Sequence, residues 1–459
     1  MIAPGPAADD DPAPPPPPER PLPPTPPLWR AGLLAFAAAV GLAVYAVNAQ
    51  PPDGARSRVQ AGAGIICFLA VAAAASKSLP SVSRKTILWG IALQFVLAVA
   101  VIHSPHVRAV FEAVGAGIKH LVLASDKGAE FVFGSLSKVD GPSGFVFAFK
   151  ALPPIIFVSS FFSVLYYFGV LQVLVRLMAR AMMYLMGTSG AETLSVSANV
   201  FMGQTEAPLI VKPFVPRMTR SELLALMGSG MAHISGGMMA VYISYGADPV
   251  SILCTCVMAC PCSLYLTKLV MPEAGTPETA GAAPVHVETP YVNAIDAAAA
   301  GVKDGLMLAL NVAAMLIGFL AFIALFDAVL GGISEGLTLE VIFGRVFAPV
   351  AFLLGVEPGE TGKVGSLLGI KLAANEHVAF LKLKEWKALG DEFLSERSRI
   401  LAVYALTGFA NFASVGIQLG GIGAIAPGRR ADLARLGMTA LFVGFLATLV
   451  NAAVAGVLM

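Results

Sequence analysis

Charge is scarce in this sequence. Of its 459 residues only 13% are charged and 57% are hydrophobic, whereas a soluble protein carries about 25% charged residues. That leaves too little polar surface to coat water-soluble domains, which excludes a soluble enzyme. The balance of 30 basic against 29 acidic residues excludes the basic field that nucleic-acid binding requires. Cysteine is sparse too, and four of the five, Cys254, Cys256, Cys260 and Cys262, share one uncharged run. Their spacing on a helix spreads the thiols around its axis, and no His or carboxylate stands beside them in the chain. They read as small apolar packing residues rather than as metal ligands. A secretory signal is absent as well, since neither a basic n-region nor a small-residue cleavage site flanks the first apolar segment.

Proline is the exception to this sparseness, but only at one end. The first 30 residues hold 13 of the 32 prolines beside Asp9, Asp10 and Asp11. Such a stretch has too few apolar side chains to offset the entropy of ordering, so it reads as a disordered, polyproline-like cytoplasmic spacer.

What remains is built of long uncharged runs. Nine of them lack Asp, Glu, Lys and Arg over 18 residues or more: 31–52, 59–76, 86–107, 151–175, 223–247, 249–267, 305–326, 400–428 and 436–459. A bilayer core takes about 20 such residues per helix, and a transmembrane barrel would show alternating segments of about 10 instead. The chain is therefore an all-α polytopic membrane protein with about nine transmembrane helices. Short-loop cations set the orientation. With the N-terminus in the cytoplasm, Lys77, Arg84 and Lys85, then Arg176 and Arg180, then Lys212, Arg217 and Arg220, and finally Arg429, Arg430 and Arg435 all fall inside. The C-terminus is then outside, and charges recur too often over 108–138 for that stretch to be anything but an interfacial helix.

Two places break the hydropathy pattern in the same way. The segment TLSVSANVFMGQTEAPLIV (193–211) is short and interrupted by Gly203, Glu206 and Pro208, and the following run carries GSGMAHISGG (228–237) at its middle. The segment KLAANEHVAF (371–380) holds Glu376, and its following run carries GFANFASVGIQLGGIG (408–423). Interrupted segments in corresponding positions of two halves point to a transporter's midplane site. Irregular backbone at membrane depth survives only where protein or a cavity surrounds it. An isolated acid there costs at least about 2.5 kcal/mol, so Glu206 and Glu376 read as functional. The loop signs give the two short segments opposite orientations, as paired re-entrant hairpins.

These residues carry a family resemblance. Through GQTEAPLIVKPF (203–214), IDAAAAGVKDGLMLALNVAAML (295–316), NEHVAF (375–380) and GFANFASVGIQLGGIGAIAPGRR (408–430), the sequence resembles the concentrative nucleoside transporters of bacterial type, from about residue 60 to the C-terminus. The resemblance implies a homotrimer in the cytoplasmic (inner) membrane, each protomer with a scaffold and a transport domain that shifts like an elevator. The implied activity is cation-coupled import of nucleosides, with no enzyme activity and no cofactor beyond the coupling ion. Transport or channelling of another small polar solute is the alternative.

The implied organisation is a tail at 1–30, an extra helix at 31–58, scaffold and interfacial helices at 59–180, a first transport half at 181–267, a connecting loop and long scaffold helix at 268–345, a second transport half at 346–435 and a last span at 436–459. On the site, the resemblance assigns Gln204, Thr205, Glu206 and Met238 to the base. It assigns Glu376, Asn411, Ser414 and Phe409 to the ribose. The chemistry agrees, since an amide offers a base edge both donor and acceptor, and a carboxylate takes charge-assisted bonds from a vicinal diol.

In sodium-coupled relatives the ion is held at positions matching Asn199, Met202 and Ile234, together with a Ser or Thr hydroxyl that is His233 here. A protonated imidazole would repel sodium, and His377 beside Glu376 is a second departure. The coupling ion is therefore Na+ or H+, with His233 or His377 as the proton carrier in the second case.

Overall fold

In the computed structural model, residues 18–47, 54–138, 146–281 and 291–459 are described. Among them the chain is helical, with no strand. It opens with α1 (Pro27–Val47), α2 (Gly54–Ala74), α3 (Arg84–His103), α4 (Pro105–Phe133), the single turn α5 (Phe147–Lys150), α6 (Pro153–Tyr167) and α7 (Val170–Met186). A first interrupted pair follows, α8 (Gly190–Ala198) and α9 (Ala207–Ile210), then α10 (Arg220–Ala232), α11 (Gly236–Ser244), α12 (Pro249–Val270) and the long α13 (Ala294–Ile333). The second half holds α14 (Leu339–Leu353), the pair α15 (Thr361–Ala373) and α16 (Glu376–Ala388), then α17 (Glu396–Leu406), α18 (Phe412–Ile425) and α19 (Arg430–Leu458).

Eight helical stretches among the described residues are long and apolar enough to cross a membrane, one fewer than the nine charge-free runs. The run 400–428 accounts for the difference, because it is two short helices, α17 and α18. Between them Gly408 has φ +150°, and a Cβ there would lie 3.0 Å from the Met231 carbonyl oxygen and 2.7 Å from Thr448 Cγ2. Asn411 then starts α18 by accepting from the Ser414 N–H at 2.9 Å. The stretch Arg220–Ser244 is broken likewise at His233–Ser235, where the Ser235 hydroxyl caps α11. The run 151–175 also ends early, as Gly169 at φ +79° closes α6 and turns the chain into α7. The stretch 108–138 falls mostly within α4, which is not among the eight apolar spans.

Burial divides the molecule. In α10, α11 and most of α12 the side chains are buried, as they are in much of α15, α17 and α19. The 40-residue α13 buries only Ala297, Gly301, Gly305, Ala309 and Leu316. The first four of these recur every four residues, so they form one stripe of the helix. That stripe crosses α6 at close range, since a Cβ on Gly301 would lie 2.6 Å from Ser160 Cα and one on Gly305 2.7 Å from Ile156 Cα. Elsewhere α13 exposes Leu306, Leu310, Ile317 and Phe322.

The N-terminal segment corrects the reading of a plain spacer, although residues 1–17 lie outside the described residues. The Thr25 N–H donates to the Lys77 carbonyl at 3.1 Å, and its hydroxyl donates to the Ser76 carbonyl at 2.8 Å. Ser78 Oγ donates to the Pro23 carbonyl at 2.6 Å. Arg20 N–H donates to the Ala274 carbonyl at 2.9 Å, and the Arg220 N–H donates to Glu19 at 2.9 Å. Residues 19–25 are thus a strap tied to the α2–α3 loop, to the chain after α12 and to the start of α10. Prolines suit such a strap because their fixed φ keeps the chain extended without internal hydrogen bonds.

Candidate functional site

The two interrupted pairs meet at α18. A capping box starts α8, with Ser189 and Glu192 bonding each other's backbone. The helix stops at Ala198, and residues 199–206 cross to α9 without helical structure. The second pair is tighter, with only Ala374 and Asn375 between α15 and α16. There Asn375 Oδ1 accepts from the Val378 N–H at 2.9 Å, which places Glu376 in the first turn of α16.

From Glu376 a chain of buried hydrogen bonds runs between the halves. Tyr242 OH donates to Glu376 Oε1 at 2.8 Å, and Asn411 Nδ2 donates to Oε2 at 3.0 Å. Ser414 Oγ accepts from Gln204 Nε2 at 3.2 Å, and Gln204 Oε1 accepts from Gln418 Nε2 at 3.2 Å. Four predicted residues, Glu376, Asn411, Ser414 and Gln204, are therefore neighbours although the sequence separates Gln204 from Ser414 by 210 positions. Met238 lies one turn before Tyr242 on α11 and is buried. Phe409 is half-buried, and its N–H donates to the His233 carbonyl at 3.0 Å, which ties the two helix breaks together.

Glu206 stands apart from this chain. Its carboxylate accepts from the Gly203 N–H at 2.9 Å and lines a cavity of about 760 Å³. Ser235 and Gly236 of the first helix break line the same space, as do Phe162 and Ser163 of α6 and Asp304 of α13. Thr205 turns toward α18, where a Cβ on Gly421 would lie 2.6 Å from its Cγ2.

The predicted cation residues also gather at the first break. Asn199 Nδ2 donates to Ser229 Oγ at 2.6 Å and to the Ser195 carbonyl at 3.2 Å. Its Oδ1 is buried and has no hydrogen-bond partner among the described residues. Ile234 is buried and Met202 half-buried on the flanking turns.

His233 bonds back into α10 and reaches toward α12. Its Nδ1 lies 2.8 Å from the Ser229 carbonyl and its Nε2 3.4 Å from Cys260 Sγ. A carbonyl accepts only, so Nδ1 carries a proton, while Nε2 lies within reach of the Cys260 thiol, which also has the Val196 and Cys256 carbonyls as acceptors. The cysteine run therefore does have a histidine beside it, supplied by packing of α10 on α12, while its four cysteines are buried and form no disulfide. Nor does His233 pair with Ser235, whose hydroxyl accepts from the Met238 N–H. His377 packs edge-on to Phe147 and Tyr245, with its Nε2 3.1 Å from Tyr245 OH and its Nδ1 without a partner among the described residues.

Sequence reasoning missed three residues here. Tyr242 and Gln418 each hold a predicted ligand, and the only signal was a hydroxyl and an amide inside runs otherwise read as apolar. Lys371 on α15 is wholly buried, donating to the Ala405 carbonyl at 2.7 Å and to Thr448 Oγ1 at 2.9 Å.

Comparison with known proteins places this geometry. Family models match consecutive parts of the chain: Na+ dependent nucleoside transporter N-terminus at residues 63–136, nucleoside recognition (gate) at 148–249, and Na+ dependent nucleoside transporter C-terminus at 251–456. The chain belongs to the Na+ dependent nucleoside transporter family. Within that family it is 40% identical to sodium/nucleoside cotransporter 1 of Mus musculus over 452 residues, covering 94% of this chain and 68% of the relative. It is 39% identical to an uncharacterized transporter of Haemophilus influenzae, covering 86% and 96% of the two chains. Among solved structures, CNTnw in an inward-facing substrate-bound state superposes with TM-score 0.82 at 36% identity, covering 87% of this chain and 97% of that one. A CNTnw variant in an outward-facing state gives TM-score 0.83 at 34% identity, covering 88% and 99%. The family thus occupies both faces of an alternating-access cycle with this fold.

Proposed function

We propose that this membrane protein is a symporter that carries a nucleoside together with a cation by elevator-type alternating access, and that it is not an enzyme. One observation carries the reading. At the junction of the two halves, Glu376 is held by Tyr242 and Asn411 so that each carboxylate oxygen has one bond. A carboxylate offers about four acceptor sites, so a diol can be received by the remaining lone pairs as a charge-assisted pair. Gln204, linked to Asn411 through Ser414, supplies the amide for the base edge, and Glu206 reaches the substrate from the wall of the large cavity. Met238, Thr205 and Phe409 complete the enclosure.

Sodium is the cation we assign. The neutral tautomer of His233 removes the repulsion that a protonated ring would bring. The hydroxyl missing at position 233 is available one turn earlier in Ser229, which already touches Asn199. The unpartnered Asn199 Oδ1 is a hard oxygen of the type such an ion takes. A proton moved by His377 is the second reading, favoured only by its buried, unpartnered Nδ1.

The site sits in the cytoplasmic membrane of a homotrimer, with the N-terminus inside and the C-terminus outside. The cavity beside Glu206 is bounded by Lys212 and Tyr291, which that orientation puts on the cytoplasmic side. On this reading the cavity faces inward, α6 and α13 belong to the scaffold, and the two interrupted pairs move as re-entrant hairpins.

The test is uptake of labelled uridine into proteoliposomes under imposed Na+ and H+ gradients, each alone. Accumulation driven by the Na+ gradient is expected. Accumulation driven only by H+ transfers the coupling to His377, and uptake indifferent to both gradients sinks the symport reading.

A further inference from the structure

A second cavity, of about 360 Å³, has no part in the site just described. The helix α11 connects the two, since Gly236 at its start lines the large cavity and Ile243 near its end lines the small one. The floor of the small cavity includes Tyr245 and Phe380. Phe380 stacks on Tyr242 at 4.1 Å between ring centroids, and Tyr242 bonds Glu376, so two stacked rings link this space to the Glu376 carboxylate.

Its walls are cationic and come from different parts of the fold. Arg108 and Lys119 stand on α4, Lys384 and Lys387 on α16, and Arg399 on α17. The acids are Asp248 and Glu396. Asp248 is already engaged, its Oδ2 accepting from the Ser251 N–H at 2.8 Å and from the Ser251 hydroxyl at 2.5 Å. Arg108 and Arg399 pair with Glu112 and Asp391. Lys387 donates to the Gly246 carbonyl at 2.7 Å, which fixes the ammonium at the rim with two protons to spare. Lys384 lies 5.2 Å from the Tyr245 ring centroid. Positive charge therefore exceeds negative on both the α4 and the α16 sides, in a cavity near the lower end of small-molecule site volumes, about 300–1,000 Å³. Clustered Lys and Arg are the groups that recognise phosphate oxygens.

We propose that this cavity binds a phosphate-bearing anion, which bridges α4 to α16 and thereby restrains movement of the second interrupted pair. The anion would act as a brake rather than as a substrate. Its binding at α16 would hold the hairpin carrying Glu376 against a helix that packs on α6. The restraint rests on the transport reading given above, whereas the binding does not.

Two sources of the phosphate can be separated with the full chain. The melting midpoint is measured in detergent with uridine 5′-monophosphate or inorganic phosphate, and in phosphatidylcholine bilayers with and without phosphatidylglycerol. Uridine uptake is measured in the same vesicles, for the wild type and for Lys384→Gln with Lys387→Gln. A soluble ligand raises the midpoint and lowers uptake in phosphatidylcholine alone, with an apparent affinity at least about tenfold weaker in the double variant. A lipid ligand does so only with phosphatidylglycerol, and again the variant is relieved. If none of these anions moves the midpoint, or if the variant responds as the wild type does, the proposal is overturned. Should uridine not be taken up under any condition, the transport reading fails while the midpoints still decide the anion site.

Discussion

Replacement of Glu376 by Gln removes one charge and little volume from the junction of the two halves. Hydrogen bonds to a charged group contribute about 1.5–3 kcal/mol and neutral ones about 0.5–1.5 kcal/mol. Two bonds from a ribose diol would each lose roughly half, about 2–3 kcal/mol together, which is about 30- to 150-fold in affinity. The Asn411 amide can still donate to the variant's carbonyl and the new NH2 can donate to the Tyr242 oxygen, so the helix break is kept while the charge and one acceptor oxygen are lost, which makes this loss a lower bound. The assay is uridine binding to the purified protein by calorimetry, compared with 3′-deoxyuridine, beside uptake in vesicles. The wild type should discriminate between the two nucleosides by at least about tenfold, and Glu376→Gln should discriminate by far less, because the group that reads the hydroxyl is weakened in both comparisons. Uptake should fall near background while the variant remains folded and inserted. Normal uptake, or unchanged discrimination, would refute the ribose role of Glu376.

Three further outcomes follow from the same geometry. Ser229→Ala should raise the sodium concentration for half-maximal uptake by about tenfold, the effect of about 1.4 kcal/mol, while His233→Ala changes it less; the reverse order would return the ion ligand to position 233. Gly305→Leu forces a side chain against the backbone of α6 at Ile156, and overpacking of this kind costs about 1–3 kcal/mol, seen as a lower melting midpoint and poorer recovery in size-exclusion chromatography. Thr25→Val keeps the shape of the strap but removes the hydroxyl that bonds the Ser76 carbonyl and caps the Leu79 N–H, and should lower the midpoint by the equivalent of about 1–3 kcal/mol. An unchanged midpoint would show that the strap is not held by this residue.

The sequence made some of these features readable and hid others for physical reasons. Glu206 and Glu376 stood out because an acid in an apolar segment is expensive, and the helix breaks stood out because Gly, Ser and Asn interrupt otherwise apolar runs. Tyr242 did not, since an aromatic residue in a membrane helix is ordinary and its partner Glu376 lies 134 positions away. Cys260 reaches His233 only because α12 packs on α10. The run 400–428 read as one continuous helix because absence of charge is a property of composition, whereas the φ of Gly408 that divides it into α17 and α18 belongs to the backbone. The strap was misread for a related reason. Low apolar content says that Pro23 and Thr25 cannot form a core of their own, but not that the α2–α3 loop offers Thr25 two carbonyls and Pro23 a serine hydroxyl.

The placement of the two helix breaks bears on how a cation and a nucleoside can depend on each other. Asn199 and Gln204 share one short non-helical stretch, and the His233 carbonyl of the first break accepts the Phe409 N–H of the second at 3.0 Å. An ion held at Asn199 and Ser229 therefore fixes the backbone from which Gln204 and Phe409 are presented. Coupling of this kind is typically about 1–3 kcal/mol, roughly 5- to 150-fold, and it is reciprocal for binding. Sodium should raise uridine affinity by the same factor as uridine raises sodium affinity. Gly408→Ala is the perturbation that isolates the link. The added methyl meets the Met231 carbonyl at 3.0 Å and Thr448 at 2.7 Å, at a φ that disfavours any side chain, and so displaces Phe409 from His233 while leaving the polar groups that hold the ion and the nucleoside in place. Binding of each ligand alone should persist in that variant, while the factor linking them falls toward one. A variant that keeps the full factor would mean that the coupling runs through Asn199 and Gln204 alone, and that the bond between the two breaks serves only to close the fold.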